Sequence, residues 1–526
     1  MTIETSITLP AVHPFTGMDV ASALAQRVER SGADPFLVWE HGDGEPTTWT
    51  YREFGAEVDR VAAGLVARGV VAGDAVMLLL ENSPAFLFCW FACARLGAVA
   101  IDTNARYVAD ELAHGLQLTG AVGAVTHEHL VPRLEDSGVP LGWVATVDEP
   151  QWTISALRGD PTTLPQRAAD PGAPLCVQFT SGTTSRPKAV LYTHANALWG
   201  GKVGADHGRF TGDDVTLVHG PLFHTQALSW LFLSTFWVGG TVVLMPKFSV
   251  SRFWDVSRRH GCTVTSVIGL MFATVLREAI PEHSYRVWSF GMERPELEAH
   301  VRIRLFNAWG MTEVVTQPIV GNLDHPVDVG AIGYAASEYG LRIVREDGTD
   351  CPVGEAGDLL IGGVRGVSLF AEYLNDPEAT AEAFDERGDF RTGDRIVQFP
   401  SGALMFQSRA KDMLKVGGEN VAAGEIERVL MGVPGVAAAA VVGRPDPFRD
   451  EVPIGFVTVA PGTDAGALPD AAISSCRERL ADFKVPGAVY VVDELPEALL
   501  GKISKVTLRE WAVARHSEES DEGTPS

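Results

Sequence analysis

Between residues 75 and 101 the chain runs from strand to helix to strand with hardly a polar break, and this stretch constrains the fold more than any other. Residues 75–80 and 98–101 are short apolar runs of strand type, while residues 84–94 are apolar on every face. Two strands joined through a helix lie parallel in one sheet, and helices must cover that sheet. The 84–94 segment is too short to cross a bilayer, which takes about 20 residues, so it reads as a helix buried under the sheet. A similar alternation returns in residues 214–218, 225–239, 241–244, 251–260 and 263–267. Upstream, residues 18–69 read as helix, hairpin, helix, with apolar residues at helical spacing from Tyr51 to Arg68.

The texture changes near Gly330, where short β-rich pieces are punctuated by glycines, and again after Arg409, where a new α+β pattern begins. At 526 residues the chain is too long for one core, given about 150 residues per domain. The expected fold class is α/β. A large N-terminal body of βαβ-type sheets covers residues 1–409, with 330–409 as a small barrel-like subdomain. A small mobile α+β cap covers 410–515, and an acidic tail, 516–526, is expected to be disordered.

Composition removes several function classes. The net charge of −25 argues against nucleic acid, which requires a basic face, but a single nucleotide needs only a few local groups. The N-terminus lacks the basic start and apolar core of a signal peptide, so a cytoplasmic enzyme with no membrane span is expected. Cys89, Cys93, Cys176, Cys262, Cys351 and Cys476 are scattered, with no spacing that favours zinc. They read as buried free thiols. Oligomeric state is not legible.

The most informative stretch is Phe179-Thr180-Ser181-Gly182-Thr183-Thr184-Ser185-Arg186-Pro187-Lys188. Small hydroxyl residues around Gly182 let backbone N–H and side-chain OH groups close around phosphate oxygens, and Lys188 adds a positive charge. The lysine follows the hydroxyl residues, so the order differs from that of a P-loop. The segment resembles the phosphate-binding signature of the AMP-forming acyl-CoA synthetase, luciferase and adenylation-domain superfamily. Further motifs follow in the same order: Asn307-Ala308-Trp309-Gly310-Met311-Thr312-Glu313, Arg391-Thr392-Gly393-Asp394, Ser408-Arg409-Ala410-Lys411-Asp412 and Gly501-Lys502-Ile503. Within the superfamily the chain is similar to the crotonobetaine/carnitine–CoA ligase branch, through Thr184 to Pro187 and the segment from Phe248 to Trp254. Residues 289–293 stand where most members carry a Gly-Gly-Ala-Pro loop.

The resemblance implies specific roles. Thr180, Ser181, Gly182, Thr183, Thr184 and Lys188 would hold the phosphates of ATP, and Trp309 with Gly310 would lie against the adenine. Thr312 would touch the α-phosphate, and Glu313 would hold Mg²⁺, a hard cation suited to carboxylate and phosphate oxygens. Asp394 would accept the ribose hydroxyls, Arg409 would reach ribose or phosphate, and Lys502 would bridge the acid's carboxylate and the α-phosphate. The cap would pivot at Lys411 and offer Gly417 and Gly418 to an incoming thiol. His224 and Met311 would border the acyl pocket. The implied substrates are a small-molecule acid, ATP and CoA.

Each residue has a plainer reading. Trp309 fits a core aromatic, Glu313 a helix-start charge, Asp394 a turn cap, Lys502 a solvated lysine and His224 a structural histidine. Two functional readings stand on the motifs: an acid–CoA ligase, or an adenylating enzyme with another acceptor or acid. The second covers a carrier-protein thiol, an amine, or nitrite used in diazotisation of an aryl amine. Trp230, Met271, Phe272, Trp309 and Met311 favour an aryl or enoyl acid over a small one.

Overall fold

A computed structural model describes residues 2–522 apart from 43, 108, 150–151, 181–187, 268–278, 410–412, 417–418, 447–448, 461, 481–483 and 498–502. The chain forms two compact units. One holds residues 1–341, 360–391 and 401–404, and the other holds 342–359, 392–400 and 405–526. The segment read as one subdomain, 330–409, is therefore divided between them. Within that segment, Gly340–Val344, Ala356–Gly362, Phe390–Gln398 and Leu404–Arg409 join in that order in a four-stranded sheet.

The first unit is built on two sheets. In the seven-stranded sheet, Pro174–Thr180, Val99–Thr103, Ala75–Leu79, Gly123–Thr126 and Val144–Thr146 run parallel. The expected strand–helix–strand unit lies at its centre. Its helix, Pro84–Leu96, has proline at its first turn and ends at Gly97 in the left-handed conformation. All its residues but Arg95 are buried, which explains a segment apolar on every face. In the nine-stranded sheet the parallel part runs Arg304–Trp309, Val287–Phe290, Val264–Ser266, Val215–Val218, Thr241–Leu244, Pro35–Trp39.

Local signals start the covering helices. Thr50 and Glu53 close a capping box on helix Tyr51–Ala67, and Thr193 and Asn196 do the same for His194–Gly208. Phe36, Phe54, Phe91, Phe232 and Phe236 pack edge-on or tilted, with ring centroids 4.9–6.0 Å apart, and join strand to helices. Residues 225–239 do not form one regular helix. A π-helical turn, Gln226–Phe232, precedes a short α-helix, Leu233–Val238. Such turns widen the helix and are frequent at functional sites.

In the second unit, strand alternation serves two cores. Ala439 and Val441 face helices Ala423–Met431 and Leu468–Arg479, whereas Ala440 and Val442 face Leu508 and Ala512 of helix Lys505–Glu522. That last helix corrects the expected disorder over residues 516–522. Leu508, Trp511 and Ala512 anchor it on the sheet, and the residues that follow contain no Gly or Pro before Gly523 to stop it. A second correction concerns Cys351, which is half-exposed while the other five cysteines are buried and free. Among the described residues no helix is long and apolar enough to cross a membrane.

Two buried histidines make stability depend on pH. His194 lies among buried groups near Asp19, and His219 lies between Phe248 and Phe253. Burial brings both down to about 4 from the ordinary 6.5. Between those values the unfolded chain binds protons that the native rings refuse, so stability is full above pH 6.5 and falls as the pH drops toward 4. Each ring accounts for on the order of 3 kcal/mol over that interval. The unfolding midpoint measured from pH 7.5 to 4 should fall accordingly, and His219→Phe should flatten the curve. An unchanged slope in that variant would contradict the assignment.

Candidate active site

The phosphate-loop motif spans a β-hairpin. Thr180 and Lys188 lie opposite each other in the antiparallel pair of Pro174–Thr180 with Lys188–Thr193, so the ends of the connecting loop are pinned together. Ser181, Gly182, Thr183 and Thr184 lie outside the described residues. The outer side of Lys188–Thr193 pairs with Glu372–Tyr373. This brings the Lys188 ammonium 4.5 Å from the centroid of the Tyr373 ring, within cation–π range.

The aromatic-Gly-x-Thr-Glu motif begins at the carboxyl end of the parallel strand Arg304–Trp309, where open α/β sheets bind their ligands. Trp309 is half-buried there. Gly310 is required by space: a Cβ at this position would lie 2.2 Å from the Thr316 carbonyl oxygen and 2.6 Å from the Trp230 ring. The chain then makes a short 3-10 turn, Thr312–Val314, and Val315 follows with φ of 64°. A β-branched residue in that region is strained. The turn persists because side chains from elsewhere hold its carbonyls. Tyr192 donates its hydroxyl to the Thr312 oxygen. Tyr339 donates to the Val314 oxygen at 2.9 Å, and the Trp230 indole to the Val315 oxygen at 3.3 Å. The amide of Phe370 donates to the Glu313 oxygen at 2.8 Å.

Glu313 is 4% exposed, and a carboxylate so buried needs partners. The Tyr373 hydroxyl supplies one, donating to Oε1 at 2.9 Å. Burial, reinforced by the Glu313 charge, pushes the Tyr373 hydroxyl well above the ordinary tyrosine value, so it stays protonated and remains a donor. The shortened segment 289–293 also finds its place. Asn307 donates its side-chain amide to the Glu293 carboxylate, and both residues are buried. Burial, and then the nearby Glu298, push the Glu293 carboxyl up.

A small cleft opens beside the π-helical turn, lined by Gln226, Trp230, Leu231, Ser266, Phe306 and Gln317 among others. Gln317 lies 3.3 Å from Nδ1 of His207, whose Nε2 lies 3.2 Å from Glu338. His224 and Met311, the expected pocket residues, are not among the described residues lining this cleft. His224 packs edge-on against Phe223 at 4.5 Å, in the turn that precedes the π-helix.

The remaining expected residues belong to the second unit. Asp394 is 1% exposed on Phe390–Gln398. It follows Gly393, whose φ of 71° suits a residue without Cβ, and its amide donates to Thr392 Oγ1 at 3.0 Å. Arg409 ends the strand Leu404–Arg409. Lys411, Gly417, Gly418 and Lys502 lie outside the described residues. The neighbouring Lys505 is structural, paired with Glu427 and donating to the Val441 oxygen at 2.8 Å.

Sequence reasoning passed over Tyr192, Tyr339 and Tyr373, and only Tyr192, at the end of the apolar run 189–191, offered any signal. Their weight is measurable. Tyr339→Phe removes one of two donors to the Val314 carbonyl, which keeps the Thr316 amide at 2.6 Å, and takes the acceptor at 2.9 Å from the Trp199 indole. Chemical denaturation should show a loss of about 1–3 kcal/mol. A loss under a few tenths would mean the turn does not depend on this bond.

Comparison with known proteins places the chain in a family. The chain matches the family model of AMP-binding enzymes over residues 24–374 and that of the AMP-binding enzyme C-terminal domain over residues 425–502. It is 32% identical to the crotonobetaine/carnitine–CoA ligase of Salmonella heidelberg (strain SL476), covering 90% of this chain and 95% of that one. ATP-bound MatB from Rhodopseudomonas palustris is 27% identical, with a TM-score of 0.84 over 94% of this chain and 99% of its own. The o-succinylbenzoate CoA synthetase MenE of Bacillus subtilis, in complex with ATP and a magnesium ion, is 28% identical. Its TM-score is 0.81 over 93% of this chain and 99% of its own.

Proposed function

The chain belongs to the AMP-binding enzyme family, and we propose that it is an AMP-forming acid–CoA ligase. The acid's carboxylate attacks the α-phosphorus of ATP, the bond to pyrophosphate breaks, and an acyl-adenylate remains. The thiol of CoA then attacks the acyl carbon, and AMP leaves. The observation that carries this reading is the juxtaposition in the first unit: Lys188, at the end of the phosphate-loop hairpin, lies over the ring of Tyr373, whose hydroxyl donates to the buried Glu313.

In such a reaction the protein mostly positions anions and stabilises the charge on phosphoryl oxygens. Lys188 and the loop residues Thr180 to Thr184 hold the phosphates, Trp309 covers the adenine, and Thr312 meets the α-phosphate. Among the described residues there is no cluster of three His, Cys, Asp or Glu side chains. A single buried carboxylate fits Mg²⁺, which takes its other ligands from phosphate and water. Glu313 would hold that ion, and its charge would offset the charge on the phosphates. Asp394 and Arg409 serve the ribose. Lys502 supplies the mobile charge that lets the carboxylate approach the phosphate. The C-terminal part pivots at Lys411, which exchanges Lys502 for Gly417 and Gly418 in the thiol step.

The substrate is an acid with an aryl or enoyl body, the class that Trp230, Trp309 and Met311 favour. His224 and Met311 border the route by which it reaches the phosphate. In this reading the enzyme works in the cytoplasm on free acid, ATP and CoA.

Acid-dependent ATP–pyrophosphate exchange, run with CoA withheld across aryl, enoyl, fatty and betaine acids and nitrite, tests this directly. Exchange with an aryl or enoyl acid, followed by thioester formation when CoA is added, is the expected result. Exchange without CoA-dependent product would move the acceptor to a carrier thiol or an amine, and exchange with nitrite alone would replace the acid. Lys502→Ala should lower exchange by at least about 100-fold while ATP binding stays within about twofold, because the charge bridge forms chiefly in the transition state. Normal exchange in that variant would remove Lys502 from the mechanism.

A further inference from the structure

Tyr373 belongs to none of the motifs that carry the proposed reaction, yet it touches two of them. Its hydroxyl donates to Glu313 Oε1 at 2.9 Å, and its ring lies 4.5 Å under the Lys188 ammonium. Its backbone is fixed from both sides. Tyr373 is opposite Val190 in the antiparallel pairing with Lys188–Thr193, and the Thr380 hydroxyl accepts its amide at 3.0 Å. Three residues earlier, Phe370 donates its amide to the carbonyl of Glu313 itself. The Tyr373 side chain is 6% exposed and Glu313 is 4% exposed, so water does not compete freely for this bond.

From this geometry we infer that Tyr373 is a positioning residue: it orients the Glu313 carboxylate for the divalent cation and stations Lys188 beside the phosphates. The inference rests on the proposed adenylating function for its substrate, though not for its cation. The physical argument has two parts. A carboxylate has two oxygens, and a donor on one of them fixes the plane in which the other can meet a cation. A lysine ammonium is a point charge on a flexible stem, and the face of an electron-rich ring gives it a weak resting place from which phosphate oxygens can draw it. The same ring thus sets the spacing between a cation that binds phosphate and an anion that binds metal, two groups that would otherwise pair directly and cancel. Phenylalanine would keep the ring under Lys188 and remove only the donor, so the two contributions can be separated.

The experiment compares wild type, Tyr373→Phe, Glu313→Gln and the double variant, with equal unfolding midpoints as the check on folding. Mn²⁺ binding in the presence of ATP, followed by electron paramagnetic resonance of the free ion, should weaken about tenfold in Tyr373→Phe. The apparent Mg²⁺ requirement of pyrophosphate exchange should rise by a similar factor, with KM for the acid within twofold. The double variant should bind Mn²⁺ no more weakly than Glu313→Gln alone, since the hydroxyl acts through that carboxylate. Tyr373→Leu, which also removes the ring, should in addition raise KM for ATP. Unchanged Mn²⁺ affinity in Tyr373→Phe, or a full further loss in the double variant, overturns the inference. A wild type that binds Mn²⁺ with ATP but exchanges pyrophosphate with no acid would sink the proposed function and leave this assignment standing. A wild type that binds no Mn²⁺ with ATP would end both.

Discussion

Much of the site depends on one awkward turn. Residues 312–315 must place a carboxylate inside the protein at the end of a parallel strand, and they do so through a valine with positive φ. A free loop would not hold that geometry, because each unpaired carbonyl and the strained backbone would favour another conformation. Tyr192, Tyr339 and Trp230 reach the turn from a strand, a loop and a π-helical segment, and bind the oxygens of Thr312, Val314 and Val315. Phe370 takes the oxygen of Glu313. The turn is thereby specified by the whole first unit instead of by its own sequence.

The sheets make that possible. In the nine-stranded sheet the parallel strands end together, so Phe290 and Trp309 emerge on one edge. In the seven-stranded sheet the order switches from parallel to antiparallel at Pro174–Thr180, and the outermost strand is the two-residue piece Glu372–Tyr373. That short edge strand carries Tyr373 to Lys188 on one side and Glu313 on the other. Close packing is the condition throughout, as the 2.2 Å approach at Gly310 makes plain. A methyl group there would push the Trp230 ring off the turn that its indole holds.

Much of the fold was legible because it repeats simple periods. The apolar run ending at Leu96 became a buried helix, residues 18–69 became helix, hairpin, helix, and residues 436–442 alternate between two cores. In the candidate site, Lys188, Glu313 and Asp394 could be singled out because a charged residue within an ordered motif is visible in the sequence. The tyrosines were not, because a buried hydroxyl bonded to a backbone carbonyl leaves no spacing in the sequence. The cleft was read only in part. Trp230 was foreseen, but Gln226 and Gln317 face it because of the π-helical turn and the His207 contact. Residues 516–522, part of the tail read as disordered from its charge, continue a helix whose apolar anchors lie upstream.

The sequence by itself determined the class of fold, the order of its elements and the residue types that can meet a nucleotide, because periodicity and ordered motifs are local properties of a chain. Only the tertiary structure decided which groups hold those residues in place. Tyr373 reaches Glu313 across sixty positions of sequence, and Tyr192 reaches Thr312 across one hundred and twenty. Bonds of that range exist only after the sheets have formed, when burial removes water as a competing partner and leaves each carbonyl and carboxylate to the donor the fold has brought alongside.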